Sequence, residues 1–120
     1  MRVVVDGANV VGARPDGWWR DRGAAAGRLL DALRQIAAQE SDLELVLVLE
    51  GAARAGVPAG DGLEQRISVV HAAGSGDDEI ARRAVGADLV VTADRELRRR
   101  VAPVECAGPS WVWDRATGDG

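Results

Sequence analysis

The sequence contains no Phe, no Tyr and no Lys, and it has one Cys and one His among its 120 residues. Because the four Trp are its only aromatic residues, Ala, Val, Leu and Ile must supply most of the core. A single Cys excludes an internal disulfide and a Cys-based zinc site, which favours a reducing compartment. No apolar run approaches the roughly 18 residues needed to cross a membrane, and no apolar leader precedes Asp6. We therefore expect a soluble, cytoplasmic protein with no membrane partner.

Apolar runs and helical spacing alternate along the chain and predict an α/β fold. Short β-branched or Leu-rich runs predict strands at 2–5, 43–49, 67–71 and 88–92, and a short fifth strand at 103–107. Helices are predicted at 24–39, 75–85 and 94–101, a Gly/Pro-rich loop at 56–62, and a last edge strand at 111–113. We expect one domain, residues 1–120, built as a three-layer sandwich in which helices cover a mostly parallel sheet of four to five strands.

Acidic residues follow the predicted strands. Asp6 comes after the first strand, Glu50 after the second, the segment 75–79 after the third and Asp94 after the fourth. In a parallel sheet these positions lie along one edge, and ligand sites form beyond the carboxyl ends of such strands. Each acid taken alone is more readily explained as a turn or cap residue. Their convergence favours a shared acidic site.

Helical spacing separates the acids that face the sheet from those that face solvent. Asp77 and Asp94 each lie on the apolar line of their helix, so both are expected to point toward the sheet edge. Asp78 and Glu96 lie on lines that carry arginines, and they are expected to face solvent. Asp78 also fits a capping box with Ser75, which is its stronger interpretation.

Crowded carboxylates repel one another, and each is costly unless it is protonated or neutralised by a cation. Hard oxygen ligands without His or Cys select Mg²⁺ or Mn²⁺ over zinc. Such ions typically meet substrate phosphate, and one or two of them can promote in-line attack on a phosphodiester. The acidic site therefore predicts phosphoryl transfer.

The formal net charge of −4 argues at first against nucleic acid as a partner, because phosphate contacts need cations. The rest of the chain is slightly positive, however, if five of the acids share one site, namely Asp6, Glu50, Asp77, Asp78 and Asp94. Every basic residue is Arg, which binds phosphate better than Lys does. A genome-wide bias toward Ala, Gly and Arg explains the same choice equally well. RNA therefore stays open as a partner.

Three motifs, in this order, resemble the signatures of NYN domains among the PIN-like ribonucleases, with the YacP-like branch as the best match: VDGANVVG at 5–12, GDDEI at 76–80 and VTADREL at 91–97. The resemblance covers about the first hundred residues. It implies a PIN-like α/β sandwich and Mg²⁺- or Mn²⁺-dependent endonucleolytic cleavage of RNA. It also implies that Asp6, Asp77 and Asp94 bind the metal and that Asn9 helps to orient the catalytic site.

The sequence departs from the family pattern at two places. Ala8 stands where the aromatic residue that gives the family its name often sits, which alters a substrate contact rather than the metal site. The fourth acid of fuller PIN sites has three candidates, namely Glu50, Asp78 and Glu96. We favour Glu50 because it follows a central strand.

Several other residues allow both a functional and a structural interpretation. Trp18 and Arg14 lie between the first strand and helix, where they are candidates for stacking on bases and binding phosphate, or for covering the core. Arg95 and Arg98 line either a nucleic-acid groove near Asp94 or a solvated helix face, the latter being the default. His71, at the end of a strand, is more readily a structural histidine than a general base.

The predicted function is a metal-dependent endoribonuclease with RNA as its partner. Two alternatives remain: a PIN-like RNA-binding or interaction domain that has lost part of its catalytic site, and another Mg²⁺-dependent phosphohydrolase. A toxin role within the PIN-like group is open as well. The Trp-bearing C-terminal edge is a candidate homodimer contact.

Overall fold

The β-branched runs of the sequence form a sheet, and the amphipathic stretches form helices on its two faces. The computed structural model describes residues 1–63 and 66–116, with the backbone alone for 61–63. The strands are β1 Arg2–Asp6, β2 Glu44–Leu49, β3 Gly60–Leu63, β4 Ile67–His71, β5 Leu89–Val91 and β6 Glu105–Ala107. The helices are α1 Gly7–Gly12, α2 Arg22–Gln39, α3 Gly76–Ala84, α4 Arg95–Val101 and α5 Ser110–Ala116, with 3₁₀ turns at Trp18–Arg20 and Gly51–Gly56.

The strands lie in the order β3-β4-β2-β1-β5-β6. Five of them pair in parallel, and β3 pairs antiparallel with β4 at one edge. Val3, Val4 and Val5 of the inner strand β1 are fully buried, as expected of a strand covered on both faces. The predicted mostly parallel α/β sheet is thus confirmed. It has one strand more than the four to five expected, because β3 forms within the segment predicted as a Gly/Pro-rich loop.

Alternating side chains of β1 divide the core into two layers. Val3 and Val5 pack in a cluster with side chains of α1, α2 and α5. Val4 points the other way and packs with Ile80 of α3 and Leu97 of α4. The result is the predicted three-layer sandwich. The longest helix described, α2, has 18 residues, and none of the helices in residues 1–63 and 66–116 is both long and apolar enough to cross a membrane.

The predicted edge strand at 111–113 is wrong, because these residues belong to the helix α5. The chain turns at Pro109, whose carbonyl accepts the N–H groups of Val112 and Trp113 at 3.0 and 3.3 Å. Val112 is fully buried in the core cluster that includes α2, and the Trp113 indole N–H donates to the Val10 carbonyl at 3.0 Å. The alternation of Trp and Val resembles a strand pattern, but the turn at Pro109 and the packing on α2 override that preference.

The short helix α1 begins directly at the end of β1 and was not predicted. Asp6 caps it, since its carboxylate accepts the Asn9 N–H at 3.3 Å. Gly7 is required at its first position, because a Cβ there would lie 2.5 Å from the Val48 carbonyl oxygen. This close approach lets β1 and β2 end side by side, which fixes Asp6 at the sheet edge.

Candidate active site

Four acidic side chains come together where parallel strands end. Asp6 is the last residue of β1, Glu50 follows β2, Asp77 lies in the first turn of α3 after β4, and Asp94 follows β5. Because β4, β2, β1 and β5 are parallel neighbours, these four positions share one edge of the sheet. We refer to Asp6, Glu50, Asp77 and Asp94 as the acidic cluster.

Asp6 is the most buried member of the acidic cluster, with only 6% of its surface exposed. Its Oδ1 accepts the Asn9 N–H, and its Oδ2 accepts the Thr92 hydroxyl at 2.9 Å. Burial raises the pKa of the Asp6 carboxyl most, and repulsion from Asp77 and Glu50 raises it further, while the two hydrogen bonds oppose the shift. The negative charge of Asp6 is therefore destabilised in the ion-free protein.

Thr92 and Asn9 connect the ends of β1 and β5. The fully buried Thr92 hydroxyl donates to Asp6 and accepts the Asp94 N–H at 3.1 Å. The Asn9 side-chain oxygen accepts the Ala93 N–H at 2.8 Å, across 84 positions of sequence. Asp94 caps α4 in turn, because its Oδ1 accepts the Leu97 N–H at 3.1 Å. Asp6 and Asp94 are thus held by one hydrogen-bonded network.

Asp77 and Glu50 form the other half of the acidic cluster. The Glu50 carboxylate accepts the Gly76 N–H at 2.9 Å, and a Cβ on Gly76 would lie 3.0 Å from that carboxylate. Asp77 is half-buried, and its carboxylate has no hydrogen-bond or ion-pair partner among the described residues. Its pKa is raised by burial and then by repulsion from Asp94 and Glu50, against a lowering by Arg100. An unpaired carboxylate beside two others is the arrangement that a cation would relieve.

The raised pKa values of Asp6 and Asp77 predict how stability depends on pH when no divalent ion is bound. The folded chain holds the protons of Asp6 and Asp77 more tightly than the unfolded chain does. Their contribution to the free energy of unfolding is therefore fully present below the ordinary pKa of Asp, and it is lost as the pH rises through the raised pKa values. We compare the wild type with Asp6→Asn/Asp77→Asn in EDTA by thermal unfolding. The midpoint of the wild type should fall relative to that of the variant as pH increases from 3 to 7, and a constant difference would contradict the pKa shifts.

Asp78 and Glu96 are exposed and paired with arginines. Asp78 is exposed and forms an ion pair with Arg100 at 2.8 Å, and Glu96 pairs with Arg99 on the solvent side of α4. Ser75 caps α3 by accepting the Asp77 N–H at 3.2 Å, and the predicted capping box with Asp78 is not among the described hydrogen bonds. Among the three candidates for a fourth acid, Glu50 repels both Asp6 and Asp77, whereas Asp78 repels its chain neighbour Asp77 and is paired with Arg100.

The cation-binding capacity of the acidic cluster follows from its donor set. It offers carboxylate oxygens alone, which are the ligands of Mg²⁺ and Mn²⁺. Within the described part of the chain, however, no three His, Cys, Asp or Glu side chains converge closely enough to hold one ion. Asp6, Glu50 and Asp94 instead direct oxygens to backbone or hydroxyl donors. The chemistry therefore fits a hard divalent ion, and binding would require side chains to turn toward it.

A cleft of about 400 Å³ opens beside the acidic cluster. Residues on its walls include Gly7, Ala8, Trp18, Arg22, Glu50 and Gly51. The Arg22 guanidinium lies over the Trp18 ring, 5.2 Å from its centroid, and Trp19 meets Trp18 edge-on at 5.9 Å. Trp18 and Glu50 of the acidic cluster thus line the same cleft.

The other predicted contact residues have varied surroundings. The Arg14 guanidinium lies over the Trp113 ring, 4.4 Å from its centroid, and so contacts α5. Arg95 is exposed at the start of α4. Arg98 donates two hydrogen bonds, at 2.9 and 2.8 Å, to the Thr92 carbonyl, so its guanidinium is engaged with the backbone. The His71 Nε2 lies 2.6 Å from the Val57 carbonyl, which fits the structural interpretation.

Sequence reasoning missed the hydrogen bonds of Thr92 and Arg98 and the stacking of Arg22 on Trp18. Thr92 is the one of these with a visible signal, because it lies inside the VTADREL motif directly after a buried strand. The contacts of Arg98 and Arg22 depend on how the chain folds back after β5 and after the 3₁₀ turn at Trp18–Arg20. Local periodicity does not carry that information.

Comparison with solved structures identifies the fold. Over 98% of its length the chain matches Rae1 (YacP) from Bacillus subtilis, with a TM-score of 0.64 and 17% identity over 74% of that chain. A Trp-to-Leu variant of the same protein matches with a TM-score of 0.68 and 15% identity over 75% of that chain. No protein-family model and no curated protein sequence matches. At this identity the comparison shows that the chain has the fold of Rae1 (YacP), in agreement with the resemblance of the motifs to the YacP-like branch.

Proposed function

We propose that this chain is a metal-dependent endoribonuclease whose catalytic site is the acidic cluster. One observation carries the proposal: four carboxylates follow four neighbouring strand ends, and one of them, Asp77, has no hydrogen-bond or ion-pair partner among the described residues. Burial, together with repulsion within this set, raises the pKa of Asp6 and of Asp77. A carboxylate cluster of this kind is costly unless it binds a cation. The PIN-like nuclease fold, shared with Rae1 (YacP), supports the assignment.

Asp6, Asp77 and Asp94 would hold Mg²⁺ or Mn²⁺, with Glu50 as the fourth acid. The ion, when bound, would neutralise these carboxylates, activate a water for attack and stabilise the leaving oxygen of the phosphodiester. Thr92 and Asn9 keep the ends of β1 and β5 in register, so that Asp6 and Asp94 stay side by side. Arg95, which is exposed next to Asp94, would offer its guanidinium to a phosphate of the bound strand.

The test is incubation of purified protein with total cellular RNA. We expect internal cleavage with Mn²⁺ or Mg²⁺, and none when EDTA is in excess. Intact RNA with both ions would refute the nuclease assignment. Hydrolysis of small phosphate esters with RNA untouched would instead assign the site to a phosphohydrolase.

A second function is favoured by the absence of three converging carboxylates in the described residues. A chain whose acids never converge would act as an RNA-binding or interaction domain that keeps the fold. Its RNA binding would weaken with salt and would not change in Asp6→Asn. Loss of cleavage in Asp6→Asn, with RNA binding retained, separates the nuclease from this alternative. A cytoplasmic location, a toxin role and a homodimer remain predictions.

A further inference from the structure

We infer that the cleft beside the acidic cluster binds one unstacked purine base, held on the indole of Trp18 with Arg22 at its side. This inference deepens the proposed function, on which it rests for the meaning of the site. It concerns the substrate base rather than the ion. The cleft, its aromatic wall and its position relative to Asp6 and Glu50 carry the argument.

The size and the walls of the cleft suit a nucleoside. A volume of about 400 Å³ falls within the range of small-molecule sites, which is roughly 300–1,000 Å³. Ala8 contributes only a methyl group to the wall, so the space that a large side chain would take is open. Trp18 supplies the largest aromatic face available in proteins, and a two-ring base overlaps an indole more fully than a one-ring base does.

Arg22 prepares the stacking surface. As the first residue of α2 it is exposed, and its guanidinium lies over the Trp18 ring at 5.2 Å. A guanidinium plane stacks on bases as well as on indoles. When a base binds, Arg22 therefore either remains stacked on Trp18 together with the base or is displaced from the ring by the base. In both cases it brings a positive charge beside the negative cluster, where a strand of RNA would pass.

The cleft and the acidic cluster share a wall. Glu50 lines the cleft and belongs to the cluster, and Gly7 lines the cleft directly after Asp6. A base held on Trp18 would place its own sugar and phosphate next to the proposed ion site. The cleft would then decide which phosphodiester is presented for cleavage.

The neighbouring residues provide matched controls. Trp19 is 55% exposed, and Arg20 lies over its ring at 5.8 Å, in the same way that Arg22 lies over Trp18. Neither Trp19 nor Arg20 lines the cleft. Leu replaces Trp18 in the test because Trp18 also packs against the core, and Leu keeps part of that apolar contact.

The test uses adenosine as the probe, in EDTA, with NMR of ¹⁵N-labelled protein. The indole N–H signals are followed in the wild type, and the amide signals of Gly7 and Gly51, which line the cleft, are followed in all variants. A neutral nucleoside avoids repulsion from the ion-free carboxylates, and D-ribose controls for the sugar. We expect a saturable shift of the Trp18 signal with adenosine and none with ribose. Trp18→Leu should weaken adenosine binding about tenfold or more, and Arg22→Gln severalfold, while Trp19→Leu and Arg20→Gln change it less than about twofold. All variants are first checked for an unchanged fold by their amide spectra.

Two results would overturn the inference: no saturable shift up to the solubility limit of adenosine, or equal effects of the Trp18 and Trp19 substitutions. The nuclease proposal and the base-site inference can be refuted independently of each other, because adenosine binding is measured without any ion. If the protein binds adenosine on Trp18 but leaves RNA intact, only the proposed function is refuted. If Trp18→Leu cleaves RNA as well as the wild type does, and the wild type binds no adenosine, only the base-site inference is refuted.

Discussion

Asp94→Asn is expected to lower the rate of Mn²⁺-dependent RNA cleavage by about a thousandfold, which corresponds to about 4 kcal/mol of transition-state stabilisation. The reason is the loss of one charged ligand at the proposed ion site. The fold should survive, because Asn caps a helix as well as Asp does, and the Leu97 N–H keeps its acceptor. Single-turnover cleavage of a labelled RNA at saturating Mn²⁺ gives the rate.

Neighbouring acids serve as the controls. Glu96 lies two positions after Asp94 and faces solvent, where it forms an exposed ion pair with Arg99 that contributes little energy. Glu96→Gln should therefore cleave RNA at a rate within about twofold of the wild-type rate. The same comparison applies on α3, where Asp77→Asn should match Asp94→Asn and Asp78→Asn should match wild type. If Asp78→Asn and Asp77→Asn were equally impaired, the helix-face argument that separates these acids would be wrong.

Mn²⁺ at about 100 times its dissociation constant is expected to stabilise the wild type by about 2.7 kcal/mol, or several degrees in the midpoint of thermal unfolding. In Asp77→Asn this gain should be largely lost. Without an ion, the same variant should unfold a few degrees above wild type near neutral pH, because it removes a charge that burial and then repulsion from Asp94 and Glu50 disfavour. The effect is moderate because Asp77 is partly exposed and water screens the repulsion.

Calorimetric scans in EDTA and in Mn²⁺ measure both effects, and Asp78→Asn is again the matched control. Asp78 is paired with Arg100, so its removal should cost a little stability in EDTA and leave the Mn²⁺ gain unchanged. Equal Mn²⁺ stabilisation of wild type and Asp77→Asn would place the ion elsewhere. A lower midpoint of Asp77→Asn in EDTA would show that Asp77 makes a favourable contact in the fold.

Periodicity predicted the features of this fold that depend on which face a residue occupies. The strands β1, β2, β4 and β5 were predicted from short apolar runs, and their parallel order placed the acids at one edge. The spacing within α3 and α4 correctly separated Asp77 from Asp78 and Asp94 from Glu96. These outcomes follow because burial on a sheet constrains an entire helix face at once.

Features that depend on a single long-range contact could not be predicted. Thr92 appears in the sequence as a residue at a strand end, and its bond to Asp6 exists only because β1 and β5 are adjacent. The α5 segment has strand-like composition, and its helix depends on the turn at Pro109 and on packing with α2. The directions of the carboxylates depend on side-chain rotamers, which respond to charge and to a bound ion rather than to sequence spacing.

The claim that the acidic cluster is a divalent-ion site is tested most directly by titrating Mn²⁺ into ¹⁵N-labelled protein. Paramagnetic Mn²⁺ broadens the amide signals nearest to it. We predict that the signals of Gly7, Gly76 and Ala93, which lie beside Asp6, Glu50 and Asp94, are lost first, at substoichiometric Mn²⁺. Asp77→Asn should require much more Mn²⁺ for the same loss. Broadening that begins at a distant carboxylate such as Asp31, or that is unchanged in Asp77→Asn, would contradict the account.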